Sequence, residues 1–521
     1  MKRLDPRSEG GFTMVAVMVV MTVATALATG ALLAAQQDLP FSKASTDRKQ
    51  AYAAAEAGVE YYLYQLTNDN DYWTKCTDVP ASAPINNKWT GTGTRKWRTL
   101  TGTNARYTIE LLPPNGLTCT KLLAETTMLN QLTGTIKIRA TGQSGKTTRS
   151  IVGEFRRDGF LDYIYFTDFE TLSPEAYADT ATQVWAATNC NNYRASRSAS
   201  CTNIQFASAD VNKGPFHTND DILACGGYTL GRSASDEIEI VGAGKWRNPG
   251  GCTAGDPTLK GTLDHPAKRL DVPTRNDKLA DNAGVTFTGR TTIFLHGTQM
   301  DVTNSAGTTT TQDLPANGVI WVDTGSTGCS TTVSPLRQTY NEGAGCANVT
   351  VYGTYSKSLT IGSAKDIIVG TPVTPGGNPL YSGANLIRSG DAVLGPIADK
   401  FVRVSHAVDR SSGCTNANRK APDGKWMNDI TIQAAILSLG HSFIVDNYEC
   451  GQDMGTLSVD GAIAQKYRGP VGTGGSGSGT GYIKDYEYDD RFRYRSPPFF
   501  VNPVDAAWEV IRQNEQVPAA K

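Results

Sequence analysis

FTMVAVMVVMTVATALATGALLAA, residues 12–35, is the stretch around which the rest of the chain is organised, and it contains no charged residue. As a helix it would be ~36 Å long, enough to cross a bilayer core of ~30 Å. The basic leader MKRLDPRSEGG precedes it, whereas a secretory signal has a shorter apolar core and a cleavage site on its far side. The pattern predicts a transmembrane helix from Phe12 to Ala35, with processing between Gly11 and Phe12.

The Gly11-Phe12 junction followed by an apolar helix resembles the class III signal of type IV pilins and type II secretion pseudopilins. In these families a prepilin peptidase cuts after the glycine, and the new N-terminal residue is methylated. The resemblance therefore implies cleavage after Gly11, methylation of Phe12 and a single-pass stage in the cytoplasmic membrane before assembly. The alternative is a plain signal anchor that is never cleaved.

Ala16 departs from the pattern of most pilins, which have a Glu five residues after the cleaved bond. That Glu is thought to pair with the new amino terminus of a neighbouring subunit, because a carboxylate in a membrane is costly unless it is paired. The PilX-type minor pilins and the K component of type II pseudopilins also lack it, and they are associated with the filament tip. The resemblance implies that this chain is a tip subunit exposed at the cell surface.

A second helix pattern follows, AYAAAEAGVEYYLYQL from Ala51. Its apolar residues recur at three- and four-residue steps and form one stripe, which comprises Tyr52, Ala55, Val59, Tyr62, Leu63 and Leu66. The small residues resemble those of the helix that PilX-type minor pilins place just outside the membrane, where neighbouring helices approach closely. Packing of the stripe on the head domain of the same chain is an equally good interpretation.

The residues after this helix have the pattern of strands and turns. GTIKIRATG, residues 134–142, alternates apolar and polar side chains as a half-buried strand does. TTRSIVGEF, residues 147–155, is predicted to pair back on it as a hairpin. A helix followed by an antiparallel sheet is the plan of a pilin head, which we place at residues 68–158.

Short β-branched runs separated by Gly and Asn follow from residue 159, most densely between Asn348 and Gly370. Without intervening helices, this pattern predicts a β-solenoid at residues 159–500, closed by an aromatic capping stretch; a β-sandwich is the alternative. Residues 501–521 are predicted to be a C-terminal helix or tail. The predicted fold class is α+β: a long transmembrane helix at residues 12–67, a pilin-like antiparallel head, and a large β-solenoid.

The cysteines indicate an oxidising compartment. All ten follow the apolar segment and are too far apart for a zinc ribbon or a redox motif. Sequence does not establish their pairing; the simplest arrangement pairs them sequentially, as Cys76 with Cys119, Cys190 with Cys201, Cys225 with Cys252, Cys329 with Cys346, and Cys414 with Cys450. The net charge of −1 over 521 residues provides no global positive field for nucleic acid.

The sequence contains no recognisable catalytic motif. We therefore predict that the chain is not an enzyme and binds no cofactor. His217, beside Asp220 and Asp221, has the residue types of a metal site, but a histidine that hydrogen-bonds a turn is the favoured interpretation. The oxygen-rich Asn68–Asp71 and Asp281-Asn282 lack the spacing of a calcium loop. We predict no metal site.

One stretch has binding character. In an extended conformation Arg491, Arg493 and Arg495 would share one face, with Phe492 and Tyr494 on the other. Arginines hold phosphates while aromatic rings stack on bases, so this is the possible nucleic-acid contact. The favoured interpretation, however, is that these arginines pair with the acidic residues just before them, Asp485, Glu487, Asp489 and Asp490.

Together these features resemble a large PilX-type minor pilin that primes filament assembly and displays a β-solenoid for adhesion. The alternative function is a tip receptor for DNA in natural transformation, and a polysaccharide-cleaving β-helix is a more distant possibility. The implied partners are other minor and major pilins, the prepilin peptidase, the cytoplasmic membrane, and DNA or a host or abiotic surface. Type IV pilus and type II pseudopilus both remain open.

Overall fold

The computed structural model describes much of the chain outside residues 1–11. The described residues are 12–69, 72–76, 89–90, 96–120, 127–130, 134–157, 159–207, 210–225, 227–247, 256–273, 276–329, 333–374, 378–380, 385–408, 410, 414, 428–473, 479–493, 495–501 and 508–520. They fold into two compact units. The first unit is Met1–Leu129, Ile136–Arg156 and Trp508–Lys521, and the second unit is Asn130–Thr135 and Arg157–Ala507.

The first unit combines one long helix with a sheet, and strands predominate in the second unit. The helices are α1 Phe12–Asn68, α2 Thr180–Asn189 and α3 Asp277–Asp281. The strands up to the middle of the chain are β1 Trp89–Thr90, β2 Trp97–Thr99, β3 Arg106–Leu111, β4 Thr135–Ser144, β5 Thr147–Arg157, β6 Tyr165–Phe169, β7 Gln205–Ala207, β8 Val211–Lys213, β9 Phe216–Thr218, β10 Ile222–Cys225, β11 Thr229–Leu230, β12 Glu237–Ile240, β13 Trp246–Arg247, β14 Thr258–Leu259 and β15 Thr262–Asp264. The next are β16 Val285–Thr288, β17 Thr291–Gly297, β18 Gln299–Thr303, β19 Thr309–Asp313, β20 Val319–Asp323, β21 Val349–Tyr355, β22 Leu359–Ser363, β23 Ile367–Val369, β24 Val373–Thr374 and β25 Asn378–Pro379. The last are β26 Leu386–Arg388, β27 Leu394–Ala398, β28 Val402–Val404, β29 Ile430–Ile432, β30 Ala435–Ser438, β31 Phe443–Val445, β32 Asp453–Tyr467, β33 Gly472–Thr473, β34 Thr480–Tyr488 and β35 Trp508–Gln516.

The first unit packs the second half of α1 on a six-stranded sheet of order β1-β2-β3-β4-β5-β35. Four residues of the predicted stripe, Ala55, Val59, Tyr62 and Leu66, are fully buried in the core of this unit. Leu63 is half-buried, and Tyr52 is exposed. The stripe therefore packs on the sheet of its own chain, which was one of the two interpretations of the sequence.

Small residues bring α1 unusually close to the sheet. A Cβ at Gly142 of β4 would lie 2.0 Å from the carbonyl oxygen of Ala51 and 2.5 Å from the amide nitrogen of Ala55. A Cβ at Gly58 of α1 would lie 2.9 Å from the Cβ of Ala140. Because the atoms facing Gly142 belong to the helix backbone, a side chain there cannot be accommodated by a rotamer change. Glycine at position 142 is therefore needed for this packing.

We expect Gly142→Ala to lower the free energy of unfolding of the first unit by about 1–3 kcal/mol, because α1 must move away from β4. Thermal unfolding followed by circular dichroism measures this loss. The matched control is Gly30→Ala in the exposed part of the same helix, where a Cβ meets nothing within 4 Å and alanine is the better helix former. Equal stability of the Gly142→Ala variant and the original chain would contradict the packing argument.

The predicted C-terminal helix is wrong, because residues 508–516 form β35 at the edge of the head sheet, next to β5. Trp508 is 5% exposed and its ring lies 6.3 Å from that of Trp73. Glu515 pairs with Arg149 of β5. These contacts with the sheet override the local helix propensity of the segment.

Two long ladders of parallel strands make up most of the second unit. One ladder runs β16-β20-β22-β27-β30-β32-β6-β9-β12-β15. The other runs β17-β21-β26-β29-β32-β34-β8-β11-β14. Their inward side chains, which include Ile293, Val351, Ile397 and Ile463, form one continuous buried core.

The order of the strands along the ladders is not their order in the sequence. β6, the first strand of the unit, lies between β32 and β9, while β15 and β16 are at opposite ends of the first ladder. In addition, β17, β18 and β19 form an antiparallel excursion. The predicted β-solenoid is wrong: twenty-four of the described strands form one sheet, and no closed solenoid is found among the described strands.

The rest of the fold-class prediction also needs correction. The chain is mostly β rather than an α+β protein built on a transmembrane helix. The apolar residues after Phe12 begin a single helix that continues through charged residues such as Lys43 and Asp47. Among the residues that the structure describes, no helix has the length and apolar character needed to cross a membrane. The predicted single-pass anchor in the cytoplasmic membrane is therefore wrong.

Candidate functional site

The first half of α1 is the largest exposed apolar feature in the described part of the first unit. Between residues 14 and 30 every described side chain is exposed, and this stretch contains no charged residue. The large apolar side chains are 52–71% exposed, and they are Met14, Val15, Val17, Met18, Val19, Val20, Met21, Val23 and Leu27. They are distributed around the whole circumference of the helix. A helix that is apolar on all sides is normally buried, so this segment has the properties of an interface.

The threonines of this segment do not make it polar, because they bond to their own helix. The hydroxyl of Thr22 donates to the carbonyl oxygen of Met18 over 2.9 Å. The hydroxyl of Thr29 donates to the carbonyl oxygen of Thr25 over 2.5 Å, and Thr25 bonds in the same way to Met21. The outer surface of the helix therefore presents methyl groups and few free hydrogen-bonding groups.

The residues predicted for processing and membrane insertion fall partly outside the described chain. Gly11 lies outside the described residues, and Phe12 is the first described residue and belongs to α1. Ala16 is an exposed residue of α1. Ala35 belongs to the same helix, but its side chain is outside the described part of the structure.

Four of the five sequential cysteine pairs are disulfides in the structure. They are Cys76–Cys119 in the first unit, and Cys190–Cys201, Cys329–Cys346 and Cys414–Cys450 in the second. The fifth pair, Cys225 with Cys252, lies outside the described side chains. Each disulfide joins two cysteines of the same unit and closes a loop of 11 to 43 residues.

The predicted nucleic-acid contact is not an extended strand. Residues 490–493 form a 3-10 helix, and Phe492 is buried at 2% exposure, so its ring is not available to stack on a base. The Nε of Arg491 donates to Asp489 over 2.9 Å, and Arg495 pairs with Asp391. Tyr494 lies outside the described residues.

Arg493 pairs with Asp490 and with Asp236, at 3.4 and 3.7 Å. Together with the pairs of Arg491 and Arg495, this is the interpretation that the sequence favoured. Two of the four acidic partners, Asp236 and Asp391, come from far along the chain rather than from the preceding residues. Through Asp236 and Asp391, these ion pairs link the segment that follows β34 to distant parts of the second unit.

A cluster of buried charges surrounds Arg403 of β28, which is fully buried. Its guanidinium group lies 3.1 Å from Glu342, 3.3 Å from Asp366 and 3.4 Å from Asp446. Lys365 donates to Glu342 over 2.9 Å. Three carboxyl groups thus face two cations, so one bound proton makes the cluster neutral.

Asp446 is the group in this cluster whose pKa is raised close to neutral pH. Burial raises its pKa to about 7, although Arg403 and the hydroxyl of Tyr340, 2.9 Å away, oppose the rise. Burial also raises the pKa of Asp366. The pKa of Glu342 is lowered because Arg403 and Lys365 outweigh its burial. Sequence reasoning missed this cluster, since its members come together only through the stacking of strands distant in sequence.

We expect this cluster to make the second unit less stable as the pH rises. The folded pKa of Asp446 lies above its ordinary value of ~3.9, so its contribution is complete below pH ~4 and is lost as pH rises through about 7. Between pH 5 and 7.5 the loss is on the order of 2 kcal/mol, measured by urea unfolding. Asp446→Asn should flatten this dependence.

The matched control is Asp281→Asn, which changes an exposed carboxyl group of α3 and should preserve the pH dependence. A chain whose stability is the same at both pH values, or an Asp446→Asn variant that keeps the slope, would contradict the assignment. The comparison uses slopes rather than absolute stabilities, because Asp446→Asn also weakens the contact with Arg403.

The sequence candidates for a metal site have other roles in the structure. His217 is buried in β9, and its ring nitrogens lie 2.6 Å from Glu239 and 3.0 Å from Asn219. Asp220 pairs with the buried Arg197, and Asp221 accepts from the amide of Gly244 over 2.9 Å. Within the described residues, no group of three or more His, Cys, Asp or Glu side chains is arranged to hold a metal ion.

The remaining candidates are on the surface or partly outside the described chain. Asp69 pairs with Lys75 over 2.5 Å, while Asn70 and Asp71 lie outside the described residues. Asp281 is exposed at the end of α3, and the carbonyl oxygen of Asn282 accepts from Asn317 over 2.7 Å. These contacts are those of solvated turns.

Comparison with known proteins finds weak structural likeness to a pilin. No family model and no curated protein matches the chain. The crystal structure of the competence-associated pilin ComZ from Thermus thermophilus aligns with 90% of this chain and 98% of its own, at 10% identity and a TM-score of 0.28. A likeness of this size carries no argument about fold or function.

Proposed function

We propose that this chain is a pilin-like subunit of a type IV filament, held by other pilins through the first half of α1. The observation that carries the proposal is the division of α1 into two parts. The second half is buried on an antiparallel sheet, while the first half exposes apolar side chains on all sides over residues 14–30. Helices of neighbouring subunits supply the apolar surroundings that this segment requires.

The second part of the proposal is the location of this subunit within the filament. Ala16 offers no carboxylate to the amino terminus of a neighbour, and the second unit contains most of the residues of the chain. A subunit of this bulk is difficult to repeat at every position of a tightly packed helical assembly. We therefore assign it to the end of the filament, where it primes assembly and displays the second unit for adhesion to a surface.

We do not extend the proposal to DNA uptake. The stretch that would favour it has its arginines paired with Asp489, Asp490, Asp236 and Asp391, and its Phe492 is buried. Affinity for a polyanion depends on cations that are free to neutralise phosphates. These arginines are engaged in contacts that hold the fold together.

Incorporation into filaments tests the proposed interface. We expect Val20→Lys to abolish sedimentation of the chain with sheared filaments, because a charge at this position must be buried among apolar helices. The matched control is Val184→Lys on α2, since Val20 and Val184 are 67% and 66% exposed. Both variants should fold normally. Equal incorporation of the two variants would show that the exposed helix is not the interface.

Processing is a separate prediction, based on the Gly11-Phe12 junction. Intact-mass measurement of the chain from its native host should show a mature protein that begins at a methylated Phe12. Gly11→Leu should block cleavage by the prepilin peptidase, whereas Gly10→Ala, one residue further from the bond, should still be cleaved. A mature chain that begins at Met1 or Lys2 would contradict this prediction.

A further inference from the structure

Four neighbouring strands of the second unit present a flat outward face with a regular arrangement of side chains. The order of these strands is β21-β17-β18-β19. Their register aligns the outward side chains in three rows, which we call the outward grid. The rows are Thr350, Thr292, Thr303 and Thr309; Tyr352, Phe294, Asp301 and Thr311; and Thr354, His296, Gln299 and Asp313.

The opposite side of three of these strands, β21, β17 and β18, fixes the grid in place, whereas β19 is exposed on both faces. Alternate residues such as Ile293, Leu295, Met300 and Val351 are fully buried in the core of the second unit. Because side chains alternate between the two faces of a strand, the outward residues are held at regular spacings. At ~4.8 Å between strands and ~3.3 Å per residue, the grid measures about 14 Å in each direction.

An aromatic pair occupies the middle row. Phe294 is 37% exposed, and its ring centroid lies 5.0 Å from that of Tyr352 across β17 and β21, at an interplanar angle of 31°. The ring of His296 lies 5.7 Å from that of Phe294. An exposed phenylalanine on a regular strand contributes nothing to the core, and together with Tyr352 it forms an apolar platform on the surface.

Polar groups surround this platform and are ordered by one another. The hydroxyl of Thr311 donates to Asp301 over 2.6 Å, and a ring nitrogen of His296 lies 3.2 Å from the same carboxylate oxygen. Gln299 donates to Asp313 over 2.9 Å. The bonds from Thr311 and then His296 hold the pKa of Asp301 below its usual range, so Asp301 presents an ionised acceptor at neutral pH.

The charge of the grid restricts the chemistry of its ligand. Among its twelve positions there is no Lys or Arg, and two are Asp. Phosphate and nucleic acid require cations, so they do not fit. A neutral sugar fits, because it has one apolar ring face and many hydroxyl groups. Aromatic rings supply a stacking surface, and Asp, Gln and Thr supply acceptors and donors for hydroxyls.

We propose that the outward grid binds a neutral polysaccharide, with a sugar ring stacked on Phe294 and Tyr352 and its hydroxyls bonded to Asp301, Gln299 and Asp313. This inference names the ligand class for the adhesive role in the proposed function and rests on that role. The threonine row lies beside the platform, where a longer chain of sugar units continues across the strands.

The test uses the purified full-length chain on an array of neutral and acidic oligosaccharides, with an oligothymidylate as the polyanion probe. The strongest neutral oligosaccharide is then titrated by calorimetry. Phe294→Ala should weaken its binding about tenfold, and Phe294→Tyr should restore it, since stacking is retained. The matched control is Trp185→Ala, because Trp185 of α2 is also 37% exposed but lies outside the grid.

Three outcomes would overturn the proposal: no neutral oligosaccharide bound, binding of acidic oligosaccharides or oligothymidylate alone, or equal affinity of Phe294→Ala and Trp185→Ala. Filament sedimentation separates this result from the proposed function. Phe294→Ala should still sediment with filaments, and Val20→Lys should still bind the oligosaccharide. A chain that binds sugar but never enters a filament would refute the filament role alone.

Discussion

The close contact between α1 and β4 at Gly142 determines what the first unit can do. The backbone of Ala51 and Ala55 occupies the space where any larger residue would place its Cβ, so the helix lies directly on the strand. Val59, Tyr62 and Leu66 follow it into the core. Because the same helix runs unbroken from Phe12 to Asn68, fixing its second half also fixes the direction of its first half. The exposed apolar segment is thus presented by a helix whose second half is packed in the core of the first unit.

In the second unit, many short strands are held together by a continuous apolar core and by buried ion pairs. Its parallel ladders bury apolar residues continuously, yet Arg403 and its three carboxylates lie inside them. Removing such charges from water costs several kcal/mol for each ion, and their mutual attraction repays this only with good geometry. A second buried ion pair joins Arg468 and Glu170. The guanidinium group of Arg468 also lies 3.4 Å from the ring centroid of Phe206. A shifted register of the strands would leave these buried charges unpaired, which is strongly destabilising.

Local patterns in the sequence predicted the elements of the first unit well. The alternation in GTIKIRATG and TTRSIVGEF corresponds to β4 and β5, which are neighbours in the sheet, and Ala55, Val59, Tyr62 and Leu66 of the stripe are buried. The same reasoning failed at residues 508–516, because a helix-forming sequence took its conformation from the edge of a sheet completed more than 350 residues earlier. For the Arg491–Arg495 stretch it predicted the pairs with Asp489 and Asp490 but not those with Asp236 and Asp391, which are distant in sequence. Local periodicity carries no information about such partners.

Sequence analysis predicted neither the order of the strands in the ladders nor the outward grid, and the physical reason is the same for both. Strand propensity and turn residues indicate where strands begin and end, but not which strand pairs with which. Nothing in the residues of β6 shows that it lies between β32 and β9. Likewise, Phe294 and Tyr352 are far apart in sequence, and they meet only because β17 and β21 pair in the register that aligns them. A surface of this kind is a property of pairing, so its chemistry becomes visible only when the register is known and each outward residue can be matched with its neighbour.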